Sequence, residues 1–489
     1  MTKFSRIFQK IKLLKDENKI INSINWKLSE RVVVQLVNLV VQITLARILL
    51  PSDFGLLAII TAITNYLSIF VQTGISTAII QKKELDSLDI STLSWSCLII
   101  ALFFYLLLFL LAPSILKIFD IINLLYAFRL FGIVLIFTAF HSIFEALYMR
   151  DMRFQSLFCF SLISASFSGL VAIIMAKKGM GIWSLVVHVL LNSLLFDLIV
   201  IIRGDYKIHF RFSFFRLCEI YRFSGYLMLS GVVSGAHDLL RTSFIGKYYS
   251  TDDLAYYDKA MTYSGYISNI SNNVNASVLL PVLSRIQDES EKLLMLARKT
   301  YRAVAFFMFP ILIGIASISE SLISVFLTTS WQPAAVYLSI FCVLRIVGCL
   351  STIDKQVYFA LGNSCVNLKY EMALLVANLL TLIVLIRKGP LIIAIGATSI
   401  EFIFYFVICL ISRRLYKYAL LDRFKDIVKP LISSLGMCFF VILIQNLIKN
   451  RIDEVLVLLI SITTGIFSYI FFELLLKDET CKTILSFIR

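Results

Sequence analysis

The sequence predicts an all-α integral membrane protein with about 14 transmembrane helices, arranged as two six-helix lobes followed by two C-terminal helices. The first observation behind this prediction is composition: 59% of the 489 residues are hydrophobic, only 16% are charged, and the mean hydropathy is +0.88. The second is the recurrence of apolar stretches of roughly 18 or more residues, each long enough to cross about 30 Å of hydrocarbon. Together these observations exclude a large soluble core.

Charge indicates how the helices are oriented. The net charge is +15, but the Lys and Arg residues lie mainly in the short connections between apolar stretches, so they report topology and not a nucleic-acid partner. With a cytoplasmic N-terminus, the inner segments hold about 31 Lys and Arg residues and the outer segments about 9. An even number of spans then returns the C-terminus to the cytoplasm.

The apolar stretches define the predicted helices. In the first lobe they are Trp26 to Leu49, Phe54 to Ile80, Ile90 to Ala112, Leu124 to Tyr148, Phe154 to Ala176 and Gly181 to Ile202. In the second lobe they are Phe223 to Tyr248, Leu254 to Leu283, Tyr301 to Leu327, Pro333 to Ala360, Leu368 to Ile386 and Leu391 to Ser412. The C-terminal pair is Ile427 to Ile448 and Val455 to Leu476.

The same stretches define the predicted domain bounds. These are a basic cytoplasmic N-terminus (1–25), the first lobe (26–202), a basic cytoplasmic connection (203–222), the second lobe (223–412), a basic cytoplasmic loop (413–426), the two further helices (427–476) and a cytoplasmic tail (477–489). Because no connection is longer than about 20 residues, we expect no catalytic domain on either side of the membrane.

An internal repeat relates the two lobes. The segment from Leu45 to Gly55 aligns without a gap with the segment from Ile245 to Ala255 about 200 residues later, basic residue over basic and acidic over acidic. We interpret each copy as a tight hairpin in which Ser52 or Thr251 caps the following helix. The alternative is that any hairpin between membrane helices has this pattern. Six helices per lobe imply two lobes of the same orientation, related by a pseudo-twofold axis along the membrane normal, as in transporters with a central cleft.

The first predicted helix carries a polar stripe. Its members recur at helical spacing and so share one face: Arg31, Gln35, Asn38 and Gln42. Such a face is expected to avoid lipid. Arg31 lies nearer the cytoplasmic interface, where snorkelling of its side chain is the alternative explanation.

The seventh predicted helix carries an equivalent stripe of Ser234, Asp238 and Arg241, with His237 beside it. Asp238 lies about 200 residues after Asn38, so the two helices are expected to face one cavity. A charge near mid-membrane costs about 2.5–3.5 kcal/mol on insertion scales, and therefore usually has a task. Arg241 is the foremost candidate for a binding residue; the alternative is an intrahelical pair with Asp238.

The eighth predicted helix is the most polar of all. Its polar side chains are Asp258, Lys259, Tyr263, Tyr266, Asn269, Asn272, Asn273 and Asn275. Aromatic faces cover sugar rings and amides bond hydroxyl groups, so this mixture suits a glycan. The alternative is that it serves only to pack helices. The tenth predicted helix has a similar face with Arg345, Thr352 and Gln356, and its Lys355 is either functional or an interface anchor.

Three further residues are candidates for coupling to a proton or sodium gradient. Glu401 lies in the twelfth predicted helix, and His141 and Glu145 lie one turn apart in the fourth. A satisfied polar pair is the alternative explanation. We expect no cofactor and no metal site, because the sequence contains no nucleotide-binding loop, no HExxH helix and no CxxC pair among its nine Cys residues.

Several motifs resemble one known family. They are Trp26 to Gly55, Thr73-Gly74-Ile75, Ile79 to Lys82, Phe223-Ser224-Gly225, Ile245 to Tyr249, Ala255 to Ala260, Pro281 to Asp288 and Phe309-Pro310. They are similar to motifs of the polysaccharide-export flippases of O-antigen, colanic acid and capsule pathways, within the multidrug, oligosaccharidyl-lipid and polysaccharide exporter superfamily. The resemblance covers about the first 360 residues. It implies alternating access, a bacterial inner-membrane location and undecaprenyl-diphosphate-linked oligosaccharide as substrate.

The resulting hypothesis is a flippase with a cationic cavity between the lobes. Arg241, Lys259 and Arg31, with Arg345 in reserve, are expected to take the diphosphate and glycan, because Arg engages phosphate oxygens in pairs. The full predicted substrate-binding set is Arg31, Asn38, Asp238, Arg241, Lys259, Tyr263, Tyr266, Asn273 and Arg345. Expected partners are the lipid-linked oligosaccharide, membrane lipid, and a polymerase and chain-length regulator of the same pathway, and no nucleic acid.

Two other functions are weighed against this hypothesis. An ion-coupled multidrug antiporter of the same superfamily would need an acidic, aromatic cavity, whereas the stripes hold more Arg and Lys than Asp and Glu. An oligosaccharide polymerase or ligase would need a sizeable outer loop with catalytic residues, and the outer connections are short. The sequence therefore predicts a transporter and not an enzyme.

Overall fold

The computed structural model describes residues 32–72, 86–204, 211–275, 279–448 and 452–476, together with Trp26, Ile79 and His209. In the N-terminal half, the helices are α1 (Val32–Ile48), α2 (Pro51–Gln72), α3 (Ser87–Ile118), α4 (Leu125–Phe131), α5 (Val134–Arg150), α6 (Phe154–Lys177) and α7 (Ile182–Arg203). The long helix α8 (Phe214–Tyr248) follows.

In the C-terminal half, the helices are α9 (Thr251–Val274), α10 (Leu280–Arg285), α11 (Ser290–Ser317), α12 (Ser319–Phe326), α13 (Ala334–Ala360), α14 (Ser364–Leu385), α15 (Pro390–Tyr416), α16 (Leu420–Ile448) and α17 (Glu454–Leu476). The described ranges also contain two 3₁₀ turns, Ile122–Leu124 and Thr329–Trp331. The prediction of an all-α fold is confirmed.

Membrane-spanning length and apolarity are found in 11 helical stretches of the described ranges, with Ile122–Arg150 taken as one stretch. The three other predicted spans fall on α1, whose described part is a shorter apolar helix, and on α8 and α9. These last two hold the polar stripes noted above. Every predicted span therefore falls on an observed helix, and the protein is a multi-pass membrane protein.

Several helix boundaries differ from the prediction. α8 begins at Phe214, α11 at Ser290 and α16 at Leu420, seven to eleven residues before the predicted starts. Hydropathy detects only the apolar part of a helix, whereas these helices continue through charged residues whose partners are distant in sequence. In α8, for example, Arg216 Nη1 lies 3.2 Å from Asp86 Oδ2 and 3.0 Å from Asp89 Oδ1.

Two predicted helices are each interrupted. The fourth is divided into α4 and α5 at Gly132 and Ile133, and the ninth is divided into α11 and α12 around Ile318. The eighth covers α9 and α10, and residues 276–278 between them lie outside the described residues.

Contacts divide the chain into two compact units, with the division between Leu239 and Leu240, inside α8. In the first unit, α5 packs against α2, α3, α6 and α7. In the second unit, α13 is central and packs against α9, α11 and α15, while α16 packs against α11 and α17. The helices α5 and α13 are therefore the central helices of their units.

The segment that leads into α8 is attached to the first turns of α3. Trp95 Nε1 donates to the His209 carbonyl at 3.1 Å, and the His209 N–H donates to Ser91 Oγ at 3.0 Å. The Ser213 N–H donates to Thr92 Oγ1 at 3.2 Å. Because these backbone groups lie outside a helix, α3 side chains supply the partners that the backbone lacks.

Close packing of α6 against α1 in the first unit depends on Gly169. A Cβ built at Gly169 in α6 would lie 2.4 Å from Cγ2 of Val41 in α1. Lipid provides little hydrophobic drive for helix association, so small residues that allow close approach are important in membranes. Val is stiff at χ1, so its methyl group has little freedom to move away.

We therefore expect Gly169→Ala to lower the free energy of unfolding by about 1–3 kcal/mol through overpacking. Gly348→Ala in α13 is the matched control, because a Cβ there would meet no atom within 4 Å. The measurement is thermal unfolding of both purified variants. Equal melting temperatures for the two variants would contradict the packing argument.

Candidate functional site

α9 carries the polar side chains of the candidate site, and its start is well defined. The N-cap is Ser250, whose Oγ accepts from the Asp253 N–H at 3.1 Å. Asp252 and Asp253 lie in the first turn, where the helix dipole favours negative charge. The predicted cap was Thr251; that prediction is wrong by one residue, because Thr251 already has helical geometry and the side chain before it reaches the free N–H.

Two arginines from different helices lie on one face of α9. The guanidinium of Arg241, from α8, lies over the Tyr257 ring at 5.7 Å. Arg345 Nη2, from α13, donates to the Met261 carbonyl at 3.1 Å. Tyr257, Met261 and Gly265 are spaced by four residues, so they form one stripe. The predicted candidates Arg241 and Arg345 are thus on the same stripe of the same helix.

Gly265 permits the approach of Arg345. A Cβ built at Gly265 would lie 3.1 Å from Arg345 Nη2, tighter than ordinary van der Waals contact. The guanidinium therefore lies against the α9 backbone.

Lys259, Tyr263 and Tyr266 lie on the same helix, around Asp258. Lys259 is buried, with 7% of its surface exposed, and interacts electrostatically with Asp258. The rings of Tyr263 and Tyr266 are 6.3 Å apart, and both phenols are also within electrostatic range of Asp258. Within the described part of the chain, the buried Tyr263 hydroxyl has no hydrogen-bond partner. Lys259 therefore has a nearby counter-charge, and Tyr263 offers an unused hydrogen-bonding group.

Glu401 of α15 lies near both arginines. It is half-buried and interacts electrostatically with Lys355, Glu371, Arg345 and Arg241. Lys355 Nζ lies 2.6 Å from Glu371 Oε1, so Lys355 is an ion-pair partner. Glu401 itself forms neither a hydrogen bond nor an ion pair with the residues that the structure describes.

The first unit contains a polar cavity of about 360 Å³. Its lining includes three Asn, four Ser, one Thr, one Gln and one His: Asn38, Asn65, Asn192, Ser68, Ser161, Ser164, Ser193, Thr138, Gln72 and His141. The predicted residues Asn38 and His141 therefore line one cavity. Because the cavity is rich in hydroxyl and amide groups, it offers both donors and acceptors.

His141 lies between two carboxylates in this wall. Its Nδ1 is 3.8 Å from Asp197 Oδ1, and its Nε2 is 3.9 Å from Glu145 Oε2. Asp197 is only 3% exposed, and among the described residues neither of its carboxylate oxygens has a hydrogen-bond partner. A buried carboxylate without donors is costly when charged. Asp197, in α7, was not among the predicted residues. The sequence indicates it only in that an acidic residue lies inside an apolar span.

Other predicted residues are placed as follows. Asp238 belongs to the first unit, and its Oδ1 lies 3.9 Å from His237 Nδ1. Arg31 and the side chain of Asn273 lie outside the described residues. The structure thus brings the predicted residues into two groups, one in each unit, and the shared cavity between lobes stays a prediction.

A buried ionic network lies elsewhere in the second unit. Arg423 of α16 donates to both oxygens of Asp354 in α13, at 2.9 and 2.7 Å, and these two residues are 1% and 0% exposed. Asp426 accepts from Arg298 Nε and Arg302 Nε, each at 2.8 Å. The sequence placed Arg423 and Asp426 in the loop 413–426, but α16 begins at Leu420, so both residues are helical, and both are buried.

Comparisons with known proteins agree on the type of protein. The family described as "Polysaccharide biosynthesis protein" matches residues 44–336. The succinoglycan biosynthesis transport protein ExoT of Rhizobium meliloti is 23% identical over 59% of this chain and 59% of its own length, less than two thirds of that relative. The lipopolysaccharide biosynthesis protein WzxC of Escherichia coli is 24% identical over 68% of each chain.

Solved structures share the fold. The lipid II flippase MurJ, in an inward closed conformation, matches with a TM-score of 0.73 and 16% identity, covering 94% of this chain and 99% of that one. An inward-facing multidrug resistance MATE family transporter of the MOP superfamily matches with a TM-score of 0.62 and 12% identity, covering 79% of this chain and 98% of that one. At these identities, the likeness concerns the fold.

Proposed function

Because the chain belongs to the polysaccharide biosynthesis protein family, we propose that it is a flippase for undecaprenyl-diphosphate-linked oligosaccharide repeat units. It moves them from the cytoplasmic to the outer leaflet by alternating access, for synthesis of O-antigen, capsule or exopolysaccharide. The likeness of its fold to a lipid II flippase supports this proposal, as do relatives whose names refer to succinoglycan transport and lipopolysaccharide biosynthesis.

The observation that carries the proposal is the pair of arginines that lie against α9. Arg241 comes from α8 and Arg345 from α13. Both contact one stripe of α9, the most polar helix of the second unit. A guanidinium is planar and always charged, and its donors match two phosphate oxygens at once. The diphosphate is bound by these two side chains, and Tyr263 and Tyr266 offer aromatic faces and hydroxyl groups to the adjoining sugar. The polyprenyl tail stays in lipid.

No bond is made or broken in this mechanism. The binding site holds the charged head group away from acyl chains, and a conformational change opens it to the other side of the membrane. The protein acts in the bacterial cytoplasmic membrane with both termini in the cytoplasm, and it delivers its product to a polymerase and chain-length regulator of the same pathway.

Two measurements test the function. In cells, deletion of the gene causes lipid-linked repeat units to accumulate in the inner leaflet. In proteoliposomes that contain the purified full-length protein, a fluorescent short-chain polyprenyl-diphosphate oligosaccharide becomes accessible to a membrane-impermeant quencher faster than in protein-free liposomes. Equal rates in both kinds of liposome would contradict the proposal.

The second candidate function is a multidrug antiporter, which the MATE fold likeness favours. Such proteins bind organic cations, and Arg241, Arg345 and Lys355 repel cations. The two functions are distinguished by competition: excess inorganic pyrophosphate slows flipping of the diphosphate lipid, whereas a quaternary ammonium compound leaves it unchanged. The reverse result would favour the antiporter.

We propose that the first unit couples flipping to a proton gradient. His141 and Asp197 share one titratable proton, which is on either the imidazole or the carboxylate. A charged Asp197 beside a neutral His141 would be a buried charge without compensation. Glu145 lies on the other side of the imidazole and provides a path for the proton. Movement of this proton between the cavity and Glu145 drives the conformational change.

We therefore expect His141→Gln to abolish the response of flipping to a pH gradient. One pH unit corresponds to about 1.4 kcal/mol per proton, so it shifts the leaflet distribution of the lipid about tenfold in the wild type. The measurement is this distribution in proteoliposomes with and without the gradient. His209→Gln, an exposed histidine outside the cavity, is the control and keeps the response. A full response in His141→Gln would exclude this proton site.

A further inference from the structure

Three asparagine side chains from three different helices line the polar cavity of the first unit. They are Asn38 of α1, Asn65 of α2 and Asn192 of α7. Polar side chains of membrane helices commonly bond to a neighbouring helix and so serve packing. The side-chain amides of these three residues form no hydrogen bond with the residues that the structure describes. Bonding between helices therefore does not account for them, and each amide has donors and an acceptor for a ligand.

The hydroxyl groups of the same cavity are partly used. Thr138, Ser164 and Ser193 each donate the hydroxyl proton to the carbonyl four residues earlier in their own helix, at 2.8, 2.8 and 3.2 Å. A hydroxyl group has one proton to donate and two lone pairs that accept, so the groups that remain for a ligand are acceptors. The cavity therefore combines hydroxyl acceptors with amides that both donate and accept.

The composition of the lining indicates a strongly hydrophilic ligand. Small-molecule sites have volumes of about 300–1,000 Å³ and are mostly lined by apolar side chains. The volume of this cavity, about 360 Å³, is in that range, but ten of the thirteen described residues that line it are polar. Phe196 is among its three apolar residues. A sugar ring has many hydroxyl groups and an apolar C–H face, so it matches this lining better than an apolar ligand does.

The charges around the cavity favour an uncharged sugar. None of the described lining residues is a lysine or an arginine. The carboxylate of Asp197 is buried 3.8 Å from His141, which lines the cavity. An acidic sugar would therefore have no cationic partner among these residues and would lie near a carboxylate. A neutral sugar pays neither cost.

We infer that this cavity is a saccharide subsite, which binds a neutral sugar ring of the substrate through the side-chain amides of Asn38, Asn65 and Asn192. This inference rests on the proposed function and adds a sugar site in the first unit to the diphosphate site on α9. The amides bond the sugar hydroxyls in both directions, and the serine and threonine hydroxyls accept from them. The subsite selects neutral sugars over acidic ones.

The test is saturation-transfer NMR, which detects weak sugar binding, on the full-length protein in nanodiscs of phosphatidylcholine. The probes are glucose, galactose, N-acetylglucosamine and glucuronate. We expect at least one neutral sugar to receive saturation from the protein and glucuronate to receive none. Asn65→Leu combined with Asn192→Leu should weaken binding of that sugar about tenfold, because several hydrogen bonds are lost. Asn378→Leu, which replaces a buried amide of α14 in the second unit, is the matched control and keeps the wild-type affinity.

Two results would overturn the inference: no neutral sugar receives saturation, or the double variant, shown to be folded by thermal unfolding, binds as the wild type does. Saturation of glucuronate equal to that of a neutral sugar would exclude the selection. Asn65→Ser combined with Asn192→Ser provides a second variant of the same positions, and it should also bind more weakly.

Farnesyl diphosphate, a soluble probe without a sugar, separates this inference from the proposed function. Its Kd, measured by calorimetric titration, should be raised by Arg345→Ala and unchanged in the asparagine double variant. If a sugar binds but farnesyl diphosphate does not, the saccharide subsite remains and the diphosphate site on α9 is excluded. If farnesyl diphosphate binds but no sugar does, the diphosphate site remains and the saccharide subsite is excluded.

Discussion

Asp354→Ala is expected to lower the free energy of unfolding by about 3–5 kcal/mol, because it leaves a buried arginine without its counter-ion. Arg423 Nη1 and Nη2 bind the two carboxylate oxygens of Asp354 in a fork, and both side chains are almost fully buried. The hydroxyl groups of Tyr301 and Tyr416 also donate to Asp354, and Ser412 Oγ donates at 2.6 Å. Removal of the carboxylate takes away the acceptor that all of these donors share.

The measurement for Asp354→Ala is thermal unfolding of the purified protein, together with its level in membranes. Asp288→Ala, an exposed acidic residue, is the control, and we expect its stability to stay within about 0.5 kcal/mol of the wild type. Asp354→Leu combined with Arg423→Met removes both charges, so it should be more stable than Asp354→Ala. A melting temperature of Asp354→Ala equal to that of the wild type would show that Arg423 finds another partner.

This network also has a consequence for the C-terminal helices. Arg423 and Asp426 belong to α16, and their partners Asp354, Arg298 and Arg302 belong to α13 and α11. Ion pairs therefore connect three helices of the second unit, α11, α13 and α16. The motifs that resemble the exporter family end before α16, yet α16 is integrated into the second unit as firmly as the helices that carry those motifs.

Loss of Arg345 or Arg241 is expected to reduce flipping about 10- to 100-fold, because each charge-assisted contact to phosphate contributes about 1.5–3 kcal/mol. The reduction should appear in Arg345→Ala and in Arg241→Ala at normal membrane levels. Arg345→Lys should recover only part of the activity, because an ammonium lacks the planar fork of donors. The measurement is the proteoliposome flipping rate, with accumulation of lipid-linked repeat units in cells as a second readout.

The matched control for these variants is Arg413→Ala, which removes an exposed arginine near the end of α15. It should flip at the wild-type rate, because its exposed side chain is not part of the α9 stripe. Wild-type flipping by both Arg345→Ala and Arg241→Ala would exclude the α9 stripe as the diphosphate site, whatever the function of the protein.

The sequence was sufficient to identify some residues of the candidate site. Arg241, Lys259, Tyr263, Tyr266 and Arg345 could be found because a polar side chain inside an apolar span is conspicuous against its surroundings. Their spacing also placed the residues of each helix on one face. The arrangement of Arg241 and Arg345 along the same stripe of α9 could not be read from spacing, since they lie on different helices.

Other residues could not have been identified by the same reasoning. Asp197 is one acidic residue in a long apolar span, and its importance appears only when His141 is found 3.8 Å away. Arg423 and Asp426 lie in a charged segment that resembles any cytoplasmic loop, because hydropathy measures the average polarity of a window and not the partners of its charges.

The amino-acid sequence by itself determined that this chain crosses a membrane many times, where each helix lies approximately, and which helices carry polar faces. These properties follow from local apolarity and helical periodicity, which act over a few residues and are readable in one dimension. Only the tertiary structure decided which side chains lie together: Asp354 and Arg423 form an ion pair, as do Lys355 and Glu371, and His141 lies 3.8 Å from Asp197. Pairing depends on distances between helices far apart in the sequence, and a buried charge takes its role from the neighbours that compensate it.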